Sequence, residues 1–200
     1  MNSASLKLRV FEVAQEYVKK KGKELFIFGK QIVVLDVRGL YHMKKELEKG
    51  VEKPDEMLYE AGRLSLMEIH ESLVASLGDA AETILSDRES ALDMLVDALN
   101  HLGLGEISVL EFKPEIKFVV KHSAGAQDYV NRKKMSRHPV CYALAGMFAA
   151  VCEKLLQTPV ICKETRCMAC EDEVCEFVIQ SGTDKMLTRG GGDDRQGHKA

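Results

Sequence analysis

All six cysteines of this 200-residue chain fall between Cys141 and Cys175, and none precedes Cys141. A disulfide framework spaces its cysteines through a small secreted chain whose core is too small to hold itself. A chain of this length buries a sufficient core without such staples. The clustering therefore points to local metal or redox chemistry, and it requires the C-terminal part of the fold to converge on one place.

Charge and hydropathy narrow the class further. The net charge of -3 argues against a nucleic-acid partner, which normally meets a basic face. No apolar stretch reaches the roughly 18–20 residues that a membrane span needs. The opening sequence MNSASLKLRVFEVAQEYV spreads its charges throughout and has no separate apolar core before a cleavage site, so it does not read as a signal peptide. A cytoplasmic protein is the expectation.

Periodicity along the chain predicts an α+β fold. Residues 5–20 repeat apolar side chains at helical spacing and Gly22 is a plausible stop, giving an N-terminal helical segment over 1–21. ELFIFGKQIVVLDV reads as a hairpin about Gly29-Lys30. A helix is expected from Leu40 to about Glu48, and a long one from Asp55 to Leu77, with Pro54 in its first turn. Ser86-Asp87-Arg88-Glu89 has the capping-box arrangement and predicts a helix to about Leu102. Strands follow at 107–112 and 116–120, a polar loop at 123–137, an Ala-rich helix at 139–156, and strands at 160–166 and 174–179. Short strand pairs separated by helices imply an antiparallel sheet flanked by helices rather than alternating βαβ units. One domain is expected over 22–180. The polar tail at 181–200, with its glycine run, has too little apolar surface to order itself.

Four residues stand out in the cysteine stretch: Cys141 near a helix start, Glu164 and Cys167 at a strand end, and Cys175 at the start of the next strand. Thiolates are soft ligands, and a carboxylate can complete a tetrahedral zinc shell. Spacing alone leaves alternatives open. Cys167 and Cys170 form a C-x2-C pair, and Cys162, Cys167 and Cys170 have the C-x4-C-x2-C spacing of an iron–sulfur cluster. Inert or redox-active thiols fit as well. Cys152 lies three helical turns beyond Cys141, roughly 16 Å away at 1.5 Å per residue, and reads as core.

The segment HPVCYALAGMFAAVCEKLLQTPVICKETRCMACEDEVCEF resembles the signature region of 4-vinyl-reductase domains. Its features are Cys141 opening a small-residue helix, the Ala145-Gly146 pair, the E-x-x-C of Glu164 and Cys167, and the C-x-F of Cys175 and Phe177. More loosely, GKELFIFGKQIVVL and LYEAGRLSLMEI are similar to that family's opening hairpin and first long helix. The resemblance covers roughly residues 22–180. It implies the ligand-binding fold of transport-particle (TRAPP) subunits and haem nitric-oxide sensors, a homodimer, and a zinc ion on Cys141, Glu164, Cys167 and Cys175. Cys170-Glu171 departs from the family pattern, where a small turn with glycine follows the E-x-x-C. Cys162 and Cys170 are therefore the alternative metal or redox residues.

The functional expectation is a domain that binds or senses a small hydrophobic or aromatic molecule. Phe118, Tyr142, Met147 and Phe148 lie near the metal-bearing segments and are the candidate pocket residues. A redox or iron–sulfur sensor is the alternative. A tetrapyrrole vinyl reductase rests on the family's name alone, since no G-x-G-x-x-G follows a strand.

Overall fold

The computed structural model describes residues 18–27, 30–32, 36–78, 86–100, 102–111 and 115–182. Three short strands open it: β1 (Val18–Lys21), β2 (Glu24–Ile27) and β3 (Lys30–Ile32), paired antiparallel in that order. The hairpin expected about Gly29-Lys30 forms, with Ile27 opposite Lys30. The N-terminal helix expected over 5–20 does not reach its end. Val18–Lys21 is a strand, because Gly22 adopts φ +65° at the first position of a two-residue turn and sends the chain back on itself. Residues 5–17 and the tail beyond 182 lie outside the described residues.

Helix α1 (Val37–Gly50) begins three residues before its expected start, because Asp36 accepts the Gly39 N–H at 2.6 Å and caps it. Helix α2 (Pro54–Leu77) matches the expectation, with Pro54 in its first turn. Helix α3 (Arg88–Asn100) starts where Asp87 accepts the Glu89 N–H at 3.3 Å. Its last residue, Asn100, exchanges two bonds with the backbone of Ile107 and ties the helix to β4 (Glu106–Glu111). Then come β5 (Lys117–Lys121), α4 (Ala124–Asn131), α5 (Tyr142–Leu156), β6 (Val160–Arg166) and β7 (Cys175–Ser181). The loop expected over 123–137 is corrected by α4, whose Ala126, Asp128 and Tyr129 are buried. Ser123 starts it, its carbonyl accepting from Ala126 and Gln127.

The second sheet is antiparallel throughout, in the order β4-β5-β7-β6. Alternation puts Phe118, Val120, Cys175, Phe177, Ile179, Cys162 and Glu164 in the buried set. Helix α5 packs on this sheet and against α2. Phe148 from α5 stacks on Phe118 at 4.2 Å between ring centres and meets the edge of Phe177 at 5.0 Å. All three rings are fully buried.

Because α5 is covered on more than one side, it buries residues around most of its circumference, from Leu144 to Leu155. The α2–α5 crossing is a backbone contact. A Cβ on Gly146 would come within 1.9 Å of the Tyr59 carbonyl oxygen, and one on Gly62 within 2.0 Å of the Ala143 carbonyl oxygen. The Ala145-Gly146 pair thus serves packing within the chain.

Candidate metal centre

The centre is assembled from a helix start and two strand ends. Cys141 precedes α5, and its carbonyl accepts the Ala145 N–H that opens the helix. Glu164 pairs with Phe177, but Arg166 pairs with Glu176, so the strand bulges at Thr165. Such a bulge bends a strand and re-aims the side chains beyond it. Cys167 then turns inward, and a single 3-10 turn (Met168–Cys170) leads through Glu171, φ +73°, back to Cys175. Asp172 fastens the turn: it accepts the Cys167 N–H at 2.8 Å and pairs with Arg166.

One ligand atom from each of Cys141, Glu164, Cys167 and Cys175 lies within 4.8 Å of all the others, and all four residues are buried. The Cys141 and Cys175 sulfurs are 3.8 Å apart. Zinc–sulfur bonds of about 2.3 Å in a tetrahedron give an edge of roughly 3.8 Å. Glu164 Oε2 accepts the Cys141 N–H at 2.8 Å, while Oε1 is buried with no hydrogen-bond partner in the described structure. A carboxylate oxygen buried without a donor is costly, and a cation would satisfy it. The donor set and its spacing fit a four-coordinate zinc.

The electrostatics show what the protein does with these groups on its own. Hydrogen bonds from Cys141 and Cys175 hold the Cys167 thiol far below the usual range, to about 2. Cys141 is pushed well up by donating to Cys167 and Cys175 and by burial. Cys175 is also pushed up. Its bond with Cys141 acts the other way, but donation to Cys167 and burial prevail. Burial, then the Cys167 charge, raises Glu164 to about 8, against the lowering bond from the Cys141 N–H. Without a cation, the four groups share one negative charge, centred on Cys167. Two further contacts support the sulfurs: the Met168 N–H lies 3.4 Å from Cys175 Sγ, and the Ser123 hydroxyl 3.3 Å from Cys141 Sγ.

Cys162 and Cys170 are not in this group. Cys162 is buried beneath Tyr59, whose hydroxyl accepts its N–H at 3.0 Å, and burial pushes its thiol well up. Cys170 is half-buried beside Cys167, pushed up to about 11 by burial and that neighbour. Cys152 is core, in line with its spacing. Of the candidate pocket residues, Phe118 and Phe148 form the stacked core pair. Met147 is half-buried against the core, and Tyr142 is half-buried beneath the Lys44 ammonium, 4.9 Å from its ring. Sequence reasoning missed Lys44, Ser123 and Asp172. Ser123 before Ala-Gly-Ala is a readable helix start, whereas nothing in LYHMKKEL marks Lys44 for burial.

Residues 126–181 match the vinyl-4-reductase (V-4-R) domain, and that stretch contains all four donors. A comparison with curated proteins finds no match. Among solved structures, the chain is similar to the phenol-responsive sensory domain of the transcription activator PoxR, with TM-score 0.72 and 16% identity over 96% of this chain and 100% of that one. A trafficking protein particle complex subunit 3 from Naegleria fowleri, covalently bound to palmitic acid, matches with TM-score 0.54 and 13% identity over 72% of this chain and 91% of that one. A vinyl-4-reductase family protein from Methanocaldococcus jannaschii matches with TM-score 0.47 and 13% identity over 90% of this chain and 96% of that one. The mixed helix and antiparallel-sheet fold is the expected one. No helix among the described residues is long and apolar enough to cross a membrane.

Proposed function

We propose that this chain is a sensory domain for a small apolar or aromatic molecule, braced by a structural zinc ion on Cys141, Glu164, Cys167 and Cys175. The observation that carries the metal reading is the buried four-donor group with its unpartnered Glu164 Oε1. The sensory reading is supported by the vinyl-4-reductase domain match and by a fold shared with a phenol-responsive domain along nearly the whole chain. Four protein ligands leave no open coordination position, so the ion's part is structural. Cys141 fixes the start of α5, and Cys167 and Cys175 fix the ends of β6 and β7. Together they would hold one end of the helix–sheet sandwich rigid while apolar contacts elsewhere adapt to a ligand.

The test is a thermal-shift and calorimetry screen of the metal-loaded protein against phenols, alkylbenzenes and fatty acids. Saturable stabilisation by one of these classes supports the reading. No response across all three, with no apolar molecule co-purifying, removes it. A second reading, a thiol-based redox sensor, is favoured by one observation: Cys170 is half-buried directly beside Cys167, outside the donor group. Retention of the metal after peroxide treatment would remove that reading.

A further inference from the structure

A patch of fixed positive charge lies beside the metal centre. Helix α4 ends in a Schellman turn, with the Lys134 N–H donating to the Tyr129 carbonyl at 2.9 Å and the Lys133 N–H to the Val130 carbonyl at 3.0 Å. Lys133 occupies its left-handed position, φ +51°, where glycine carries least strain. Lys134, Met135, Arg137 and His138 continue the run, all exposed. Arg132 is paired with Asp128. Lys133, Lys134 and Arg137 have no carboxylate partner among the described residues. Met135, 54% exposed, and Val130, 41% exposed, set apolar surface among the charges.

Cations at a helix C-terminus complement its dipole. That accounts for Lys133 and Lys134, but not for Arg137 beyond the last turn or for the exposure of Met135. The loop is also held in place. The Ser136 N–H donates to the Ala169 carbonyl at 2.7 Å, and the Ser136 hydroxyl to the His138 carbonyl at 2.6 Å. Ala169 lies in the turn between Cys167 and Cys175, so the basic loop is fastened to the metal-bearing segment.

We infer that residues 130–138 are a docking surface for an acidic protein segment, which sets carboxylates against Lys133, Lys134 and Arg137 and an apolar side chain against Met135. Protein is favoured over nucleic acid on two grounds. The chain's net charge of -3 opposes a long polyanion beyond the patch. The exposed Met135 and Val130 offer nothing to a phosphate. The inference rests on the sensory reading and deepens it, since a sensor needs an output surface and the Ser136–Ala169 bond ties this one to the metal centre.

The probe is a short fluorescent peptide, rich in Glu and Asp with one central Leu, titrated against the metal-loaded full chain by anisotropy. The expected results are saturable binding, a loss of about tenfold or more in K133E/K134E, and a loss of about fivefold in M135S at unchanged charge. Absence of binding to the wild-type chain overturns the inference. So does binding that ignores M135S and the peptide's Leu, which is charge attraction alone, and so does tighter binding of duplex DNA or phosphatidylserine vesicles. Metal content and thermal midpoint are measured on every variant. If these hold while the peptide fails to bind, the docking surface fails and the metal reading stands. If the wild-type chain binds no zinc, the metal reading fails on its own.

Discussion

Glu164 and Cys141 are joined by a hydrogen bond that uses only half of the carboxylate: Oε2 accepts the Cys141 N–H at 2.8 Å, and Oε1 is buried facing no donor. One side chain thus fixes the start of α5 and leaves a charge-bearing atom for something else to satisfy. Glu164→Gln keeps the acceptor for Cys141 and removes the charge. It should therefore fold, yet bind zinc more weakly by at least about a hundredfold, above the usual cost of losing a residue that only orients a ligand. Competition with a chromophoric chelator measures this, and near wild-type affinity would count against Glu164 as a ligand.

Cys167→Ala should lose metal and stability together, because binding energy at a structural site is folding energy. Cys170→Ala should lose neither, since its sulfur is outside the donor group. Elemental analysis and urea midpoints on the two variants check the contrast. The reverse pattern would move the site to Cys170.

Zinc binding should release close to three protons at pH 7, one each from Cys141, Cys175 and Glu164, because Cys167 has already lost its own. The release should fall toward two as pH passes about 8, where Glu164 ionises unaided. Below that, apparent affinity should drop by about a thousandfold per pH unit, the consequence of three linked protons. Calorimetry in buffers of differing ionisation enthalpy counts them.

In the metal-free protein the same groups oppose each other. Glu164 is raised from 4.5 to about 8, so the stability it lends is present below 4.5 and lost as pH rises through 8. Cys167 is depressed from 9.0 to about 2, so its contribution grows with pH across that same interval. Urea midpoints of the metal-free chain should therefore be nearly flat between pH 5 and pH 8. A steep slope of either sign would show that the proton is not held as described.

Lys44 is 8% exposed, its ammonium 3.4 Å from the Val140 carbonyl. Burial lowers its pKa from 10.5. A depressed lysine binds its proton less well folded than unfolded, so it costs stability at neutral pH and that cost fades as pH rises toward 10.5. Lys44→Met should stabilise the protein by about 1 kcal/mol or more at pH 7 and flatten the rise in stability toward pH 10. Thermal melts across that range decide it.

The C-terminal half is legible in the sequence because its signals are chemical and local: thiols at turn-and-strand spacing, an Ala-Gly pair, alternating strands. The strands and α5 form close to their predicted bounds. The sequence is less informative where tertiary contact decides. Residues 123–137 look polar, yet Ala126 and Tyr129 are enough to dock α4, and Val18–Lys21 follows the pairing across Gly22 rather than helical periodicity. The neighbourhood of Phe118 and Phe148 along the chain suggests a pocket, but a stacking contact between helix and sheet has no linear signature.

The central claim is met most directly by elemental analysis and a visible spectrum on protein purified without oxygen. The account predicts about one zinc per chain and no colour, with the zinc gone from Cys167→Ala. Iron with sulfide and a brown spectrum would contradict it, and would place Cys162 and Cys170 at the centre instead.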